Sequence, residues 1–231
     1  LLAVNTVAPT SSSFGQWALS PQPDAGAAWA AWIKVSGGEV YLQRFLEDGG
    51  ITFTDGGTPR GLVSASLTTS FTPPTLLDDG AGGVVQAWYD TLGGVNVVVL
   101  QRFGPDGAPL WSQPAVANSA STVLAPAFSY QPTYRMLRHR DGTLSVFWIG
   151  QSANLYVTRL SLADGSRVAG PPGGLTVSRA PTVQWFDVAE DPAGGTFVAF
   201  QDALNRVFLK HVLADNTLGS AGTGGGAGSR R

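Results

Sequence analysis

Few groups in this chain could do chemistry, and their spacing limits what that chemistry is. Cysteine is absent, which excludes disulfides, thiolate metal sites and cysteine nucleophiles. The two histidines stand far apart: His139 lies between Arg138 and Arg140 at a turn, and His211 lies in a strand-like run. A zinc site gathers several such ligands. No Gly-x-Ser-x-Gly elbow and no Ser–His spacing marks a hydrolase triad. Neither a cofactor nor a metal is expected. Of the 16 acidic residues only Glu39, Glu47 and Glu190 are glutamates. Asp24, Asp48, Asp78, Asp79, Asp106, Asp141, Asp164, Asp191 and Asp215 fall in or beside turn-like segments, where the carboxylate shapes the turn through backbone N–H groups. The spaced oxygen ligands of a calcium loop are missing. Asp90 and Asp202 are different. They hold one position in two repeated segments, so a closed ring of four segments would set them across its axis. Carboxylates about 5–9.5 Å apart are the pair used in glycoside cleavage.

The elements that would position these groups repeat four times. Apolar runs AAWAAWIK (27–34), VVQAWYD (84–90), LSVFWIG (144–150) and TFVAFQD (196–202) each follow a turn. A second run follows each: EVYLQRF (39–45), VNVVVLQRF (95–103), NLYVTRL (154–160) and NRVFLKHV (205–212). The aromatic anchors Trp32, Trp88, Trp148 and Phe200 are 56, 60 and 52 residues apart. The basic anchors Arg44, Arg102, Arg159 and His211 are 58, 57 and 52 apart. Two independent landmarks keep one period. A preceding run (WALSPQ at 17–22, then 74–78, 132–137 and 181–188) and a following one (51–54, 109–113 and 166–170) make four strands, a to d, per repeat. Asp-Gly pairs between them signal hairpins, and no long run has helical periodicity. Several strands are apolar on both faces, as suits a small sheet stacked between two others.

Length and composition are consistent with this. A chain of 231 residues with 43% hydrophobic content can build a core. Charged residues are 13% and the formal net charge is −2, which gives no field for nucleic acid. The longest uncharged stretch is broken by Pro109, Pro114, Pro126 and Pro132, so it makes no membrane helix. The first residue is Leu, as in a processed form or a fragment.

With these anchors and turns the chain resembles the β-propeller superfamily over residues 1–218. It matches none of the Asp-box, WD40, kelch or PQQ repeat motifs closely. The resemblance implies an all-β fold of four-stranded antiparallel blades, about four in number, in repeats near 16–66, 72–120, 131–178 and 181–218. Residues 1–6 serve as an outer strand that latches the ring, or else the chain is a piece of a longer propeller. Residues 219–231 read as a Gly-rich tail. In such a fold the d–a and b–c loops share one face. That face carries Lys34, Phe71, Asp90, Phe128, Tyr130, Gln151 and Asp202 as candidate binding residues. Arg44, Arg102 and Arg159 are expected to pack their stems between blades and meet a turn Asp or a carbonyl. The functional expectation is a non-enzymatic, extracytoplasmic interaction module that docks on a protein partner or a larger assembly. The alternative is carbohydrate binding or cleavage on the loop face, with Trp17, Tyr130, Asp90 and Asp202. Exposed rings beside carboxylates would favour the alternative.

Overall fold

The computed structural model describes residues 14–22, 26–34, 39–53, 58–62, 73–118, 123, 134–150, 153–178 and 182–219. Every regular element among them is a strand. Blade 1 is the antiparallel sheet β1 (Phe14–Gln22), β2 (Ala27–Lys34), β3 (Glu39–Leu46) and β4 (Thr58–Leu62), in that order. Blade 2 is β5 (Thr75–Asp78), β6 (Val84–Leu92), β7 (Val95–Phe103) and β8 (Ala115–Val116). Blade 3 is β9 (Tyr134–Arg138), β10 (Thr143–Ile149), β11 (Leu155–Ser161) and β12 (Arg167–Ala169), with β13 (Leu175–Ser178) also on β11. Blade 4 is β14 (Val183–Glu190), β15 (Thr196–Asp202) and β16 (Val207–Val212). These are consecutive up-and-down sheets with their first strands innermost, the architecture of a β-propeller.

The turns fold as their residues dictate. Gly93 and Gly94, both at positive φ, close the β6–β7 hairpin, since a two-residue turn of that hand needs left-handed backbone at both positions. Gly83 follows the β5–β6 turn so tightly that a Cβ there would collide with the Phe103 carbonyl. The core lies between blades. Trp29, Ala31 and Leu42 of blade 1 pack on Val84 and Phe103 of blade 2. Trp88, Val98 and Leu100 of blade 2 pack with Tyr134, Leu144 and Trp148 of blade 3. Phe147, Ile149, Leu155 and Val157 of blade 3 meet Phe186, Val198 and Phe200 of blade 4. All four aromatic anchors are buried. β6 is buried on both faces for its first seven residues, because it has a sheet on either side. β15 alternates buried and exposed, because only one of its faces is covered.

The outer strands depart from the sequence reading. In blades 1 and 2 the expected d runs, 51–54 and 109–113, make only isolated bridges, Phe45 to Ile51 and Phe103 to Pro109. Regular pairing begins later, at β4 and β8, beyond those runs. Trp111 shows why in blade 2. Its ring turns into the core and its Nε1 donates to the Leu162 carbonyl of blade 3 at 2.9 Å, so the chain leaves the sheet before pairing again. The latch of residues 1–6 lies outside the described residues.

Candidate functional site

The repeated basic residues are interblade staples, as their spacing suggests. Arg102 bonds Asp79 at 2.8 Å in its own blade and the Leu162 carbonyl at 2.9 Å in the next. Arg159 bonds Asp141 at 2.9 Å and the Gly194 carbonyl at 3.0 Å. Arg44 reaches the Pro105 carbonyl at 3.1 Å. His211 takes the same place in blade 4, 2.9 Å from Asp191. The turn aspartates are equally structural: Asp48, Asp106, Asp164 and Asp215 each accept the backbone N–H two residues on.

The loop-face candidates separate. Phe71, Phe128, Tyr130 and Gln151 lie outside the described residues. Lys34 ends β2, and its side chain is likewise outside them. Asp90 is buried in β6 and accepts the Thr91 N–H at 2.7 Å. Asp202 is fully buried at the end of β15. Its Oδ1 accepts the N–H groups of Leu204 and Arg206, and its Oδ2 accepts the Arg206 guanidinium at 2.7 Å. Burial pushes its carboxyl up, but the Arg206 guanidinium and backbone N–H and the Leu204 N–H outweigh this and hold it below the usual carboxylate range. Both oxygens are engaged within one hairpin, so Asp202 shapes the b–c turn of blade 4.

That turn borders a cleft. A shallow, solvent-facing depression of about 340 Å³ opens at the b–c end of blade 4, lined by Arg135, Trp185, Asp187, Ala199, Gln201 and Val207, with Phe186 and Phe200 at its floor. Strand register explains the grouping. Arg135 pairs with Phe147 in blade 3, and Asp187 pairs with Ala199 in blade 4. Phe147 and Ala199 each directly precede an aromatic anchor, Trp148 and Phe200. Arg135 and Asp187 are therefore equivalent positions on neighbouring inner strands, and Arg135 Nε lies 3.7 Å from Asp187 Oδ1. A second layer repeats the arrangement: Arg138 meets Asp78 at 3.7 Å, and Gln22 donates to Asp78 at 3.1 Å. Trp185 is about half exposed beside Asp187. Gln201 Nε2 donates to Asn205 Oδ1 at 2.9 Å.

Such a cleft offers an apolar ring face, an acceptor-only carboxylate, a forked donor and an amide. Its volume suits a small ligand. Among the described residues no group of three or more His, Asp or Glu side chains gathers as a metal would need. No helix there is long and apolar enough to cross a membrane. The sequence reading missed Trp185, Asp187, Arg135 and Gln201. The available signal was Trp185, a large aromatic directly before Phe186, so that both faces of one inner strand carry a ring.

No family model matches the chain, and no curated protein matches it. Solved structures do. A putative exo-beta-1,3-galactanase from Bifidobacterium bifidum is 12% identical, over 86% of this chain and 66% of that one, at a TM-score of 0.45. A thermostable family-43 glycoside hydrolase is 8% identical over 94% and 75%, at 0.46. An endo-arabinase from Bacteroides thetaiotaomicron is 10% identical over 84% and 73%, at 0.45. The chain spans about two thirds to three quarters of the length of these proteins. The expectation of a non-enzymatic interaction module is corrected here. The exposed Trp185 ring stands beside the carboxylate of Asp187, the arrangement expected of the sugar reading rather than of the scaffold reading.

Proposed function

We propose that the protein is a carbohydrate-binding propeller whose cleft holds a sugar ring on Trp185. The carrying observation is that half-exposed indole within a cleft that also presents Asp187, Arg135 and Gln201. A pyranose or furanose ring lays its C–H face on the indole, while adjacent hydroxyls donate to Asp187 and accept from Arg135. Asp187 is the one carboxylate among the lining residues, so the cleft by itself supports binding. Cleavage would need a second carboxylate about 5–9.5 Å from it. The proposal includes action outside the cytoplasm, where a glycan polymer is met, and protease accessibility in intact cells checks that part.

The test is a fluorescence and calorimetric titration with a panel of galactan, arabinan and mannan oligosaccharides. At least one should quench indole emission on binding. Trp185→Ala should weaken that binding about tenfold or more, in line with about 1–3 kcal/mol for a stacked aromatic contact. Binding that is unchanged in Trp185→Ala, or a panel with no binder, overturns the reading.

A further inference from the structure

Blades 2, 3 and 4 each set one residue beside the staple, and blade 3 breaks the pattern. Asp78, Arg138 and Glu190 pair with Val84, Leu144 and Thr196, so the residues that follow them, Asp79, His139 and Asp191, hold one position at the a–b turn. Each donates its backbone N–H to the carbonyl that closes that turn, of Gly83, Thr143 and Gly195 respectively. In blade 2 Asp79 grips the staple Arg102 at 2.8 Å. In blade 4 Asp191 lies 2.9 Å from His211, which stands in the staple position. In blade 3 an imidazole replaces the carboxylate. His139 is 2% exposed, its Nε2 is 2.8 Å from Ser145 Oγ, and its Nδ1 is buried without a hydrogen-bond partner. Arg159, opposite Ser145 in register, takes half-exposed Asp141 instead and reaches across to the Gly194 carbonyl of blade 4. Ser145 and Phe147 lie on one side of β10, and Phe147 packs with Phe186 and Val198 of blade 4. His139, bonded to Ser145, therefore lies in the seam between blades 3 and 4.

We propose that His139 makes the seam between blades 3 and 4 an acid-sensitive joint: a proton on its imidazole opens the seam and loosens blade 4 from the rest of the array. The charges that face it fix the sign. Arg159 and Asp141 face it from its own blade, and Glu190 from blade 4. The flanking Arg138 and Arg140 are turned to Asp78 and Glu190. A protonated imidazole donates from both nitrogens. In the closed seam it would set a second buried cation against Arg159 and leave an Nδ1–H without an acceptor, both of which water relieves once the seam opens. Burial, and after it the Arg159 charge, hold the closed imidazole below its ordinary 6.5 against Asp141 and Glu190. The open form takes up the proton first, so closure is complete above pH 6.5 and weakens as pH falls below it. The seam between blades 2 and 3 lacks this device. There Asp79 accepts the Ala81 and Gly83 N–H groups on one oxygen and Arg102 on the other. His211 works in the opposite sense, because its proton adds charge to the pair it makes with Asp191 inside blade 4. This inference does not rest on the sugar reading.

The experiment is amide hydrogen exchange of the 231-residue chain, read peptide by peptide one pH unit above and one below 6.5 and corrected for the intrinsic effect of pH. Circular dichroism confirms that each variant is folded. In the wild type the opening of β14, β15 and β16 should rise by up to about tenfold at the lower pH, the linkage of one proton one unit below the open-state value. β6 and β7 of blade 2 should keep their protection. His139→Gln should remove the rise, because an amide can still bond Ser145 and takes up no proton. His139→Asp returns the carboxylate of blades 2 and 4 to the side of Arg159 and should remove the rise as well. His211→Gln should keep it. A wild-type blade 4 that is equally protected at both pH values overturns the proposal. So does a rise that persists in either folded His139 variant, or one shared equally by β6 and β7, which would be unfolding of the whole array. No sugar enters the readout, so failure here and failure of the carbohydrate reading are distinguished.

Discussion

His139 shows how a side chain that looks reactive in the sequence becomes structural when its surroundings close. It is buried in blade 3, with Nε2 2.8 Å from Ser145 Oγ, and Nδ1 has no hydrogen-bond partner. Burial holds its pKa below the ordinary 6.5. The Arg159 charge adds to this, and Asp141 and Glu190 oppose it without reversing it. The imidazole is therefore neutral in the fold, and the unfolded chain takes up its proton first as pH falls. Stability from this residue is present above pH 6.5 and is lost as pH drops below it. Thermal melts should fall through the range just below pH 6.5, and His139→Gln should flatten that part of the profile. An unchanged slope in the variant would show that other groups set it. In the turn aspartates the fold favours the charged form instead, and their contribution is likewise lost as pH falls, below the ordinary carboxylate value. Asp164 and Asp215 sit below the ordinary carboxylate value because a hydroxyl and a backbone N–H two residues on both donate to them.

Among the elements, the hairpin of the second and third strands carries both the aromatic anchor and the staple, so each blade is registered to the next by its own sequence. Arg159 is the most enclosed staple, with Arg102 less so and Arg44 partly exposed. Arg159→Ala strips a donor from the Gly194 carbonyl and from half-exposed Asp141, and removes a packed stem. The expected cost is about 2–3 kcal/mol, the scale of hydrogen bonds to a charged group. Chemical denaturation should place the same change at Arg44 well below it. Equal costs at the two sites would mean that the staples do not work through burial. By contrast, the axial pairs at 3.7–3.9 Å, such as Arg138 with Asp78 and Arg140 with Glu190, are solvent-facing. Each is worth under about 1 kcal/mol. They orient inner strands around the axis more than they hold them.

At the scale of the whole molecule, stability runs along a row of sheets in which each contacts its neighbours, so an uncovered end should be the weakest part. Blade 4 has three strands among the described residues and one bare face. Amide hydrogen exchange at low protein concentration should be faster in Val207–Val212 than in Leu155–Ser161, although both are the third strand of a blade. Equal protection at low concentration would show that blade 4 is covered within the single chain. The fourfold period, the strand order inside each repeat and the burial of Trp32, Trp88, Trp148 and Phe200 were all legible in the sequence, because hairpin turns and two-sided apolar runs are local signals. The late start of β8 was not, since it follows from Trp111 finding a carbonyl in another blade. Nor was the cleft. Arg135 and Asp187 are 52 residues apart and meet only because equivalent registers of adjacent inner strands face one axis. Phe147 and Phe197 are both aromatic residues in second strands, and periodicity treats them alike. One is buried and the other exposed because a neighbouring sheet covers the first and none covers the second, and coverage is a property of the packed array rather than of any single repeat.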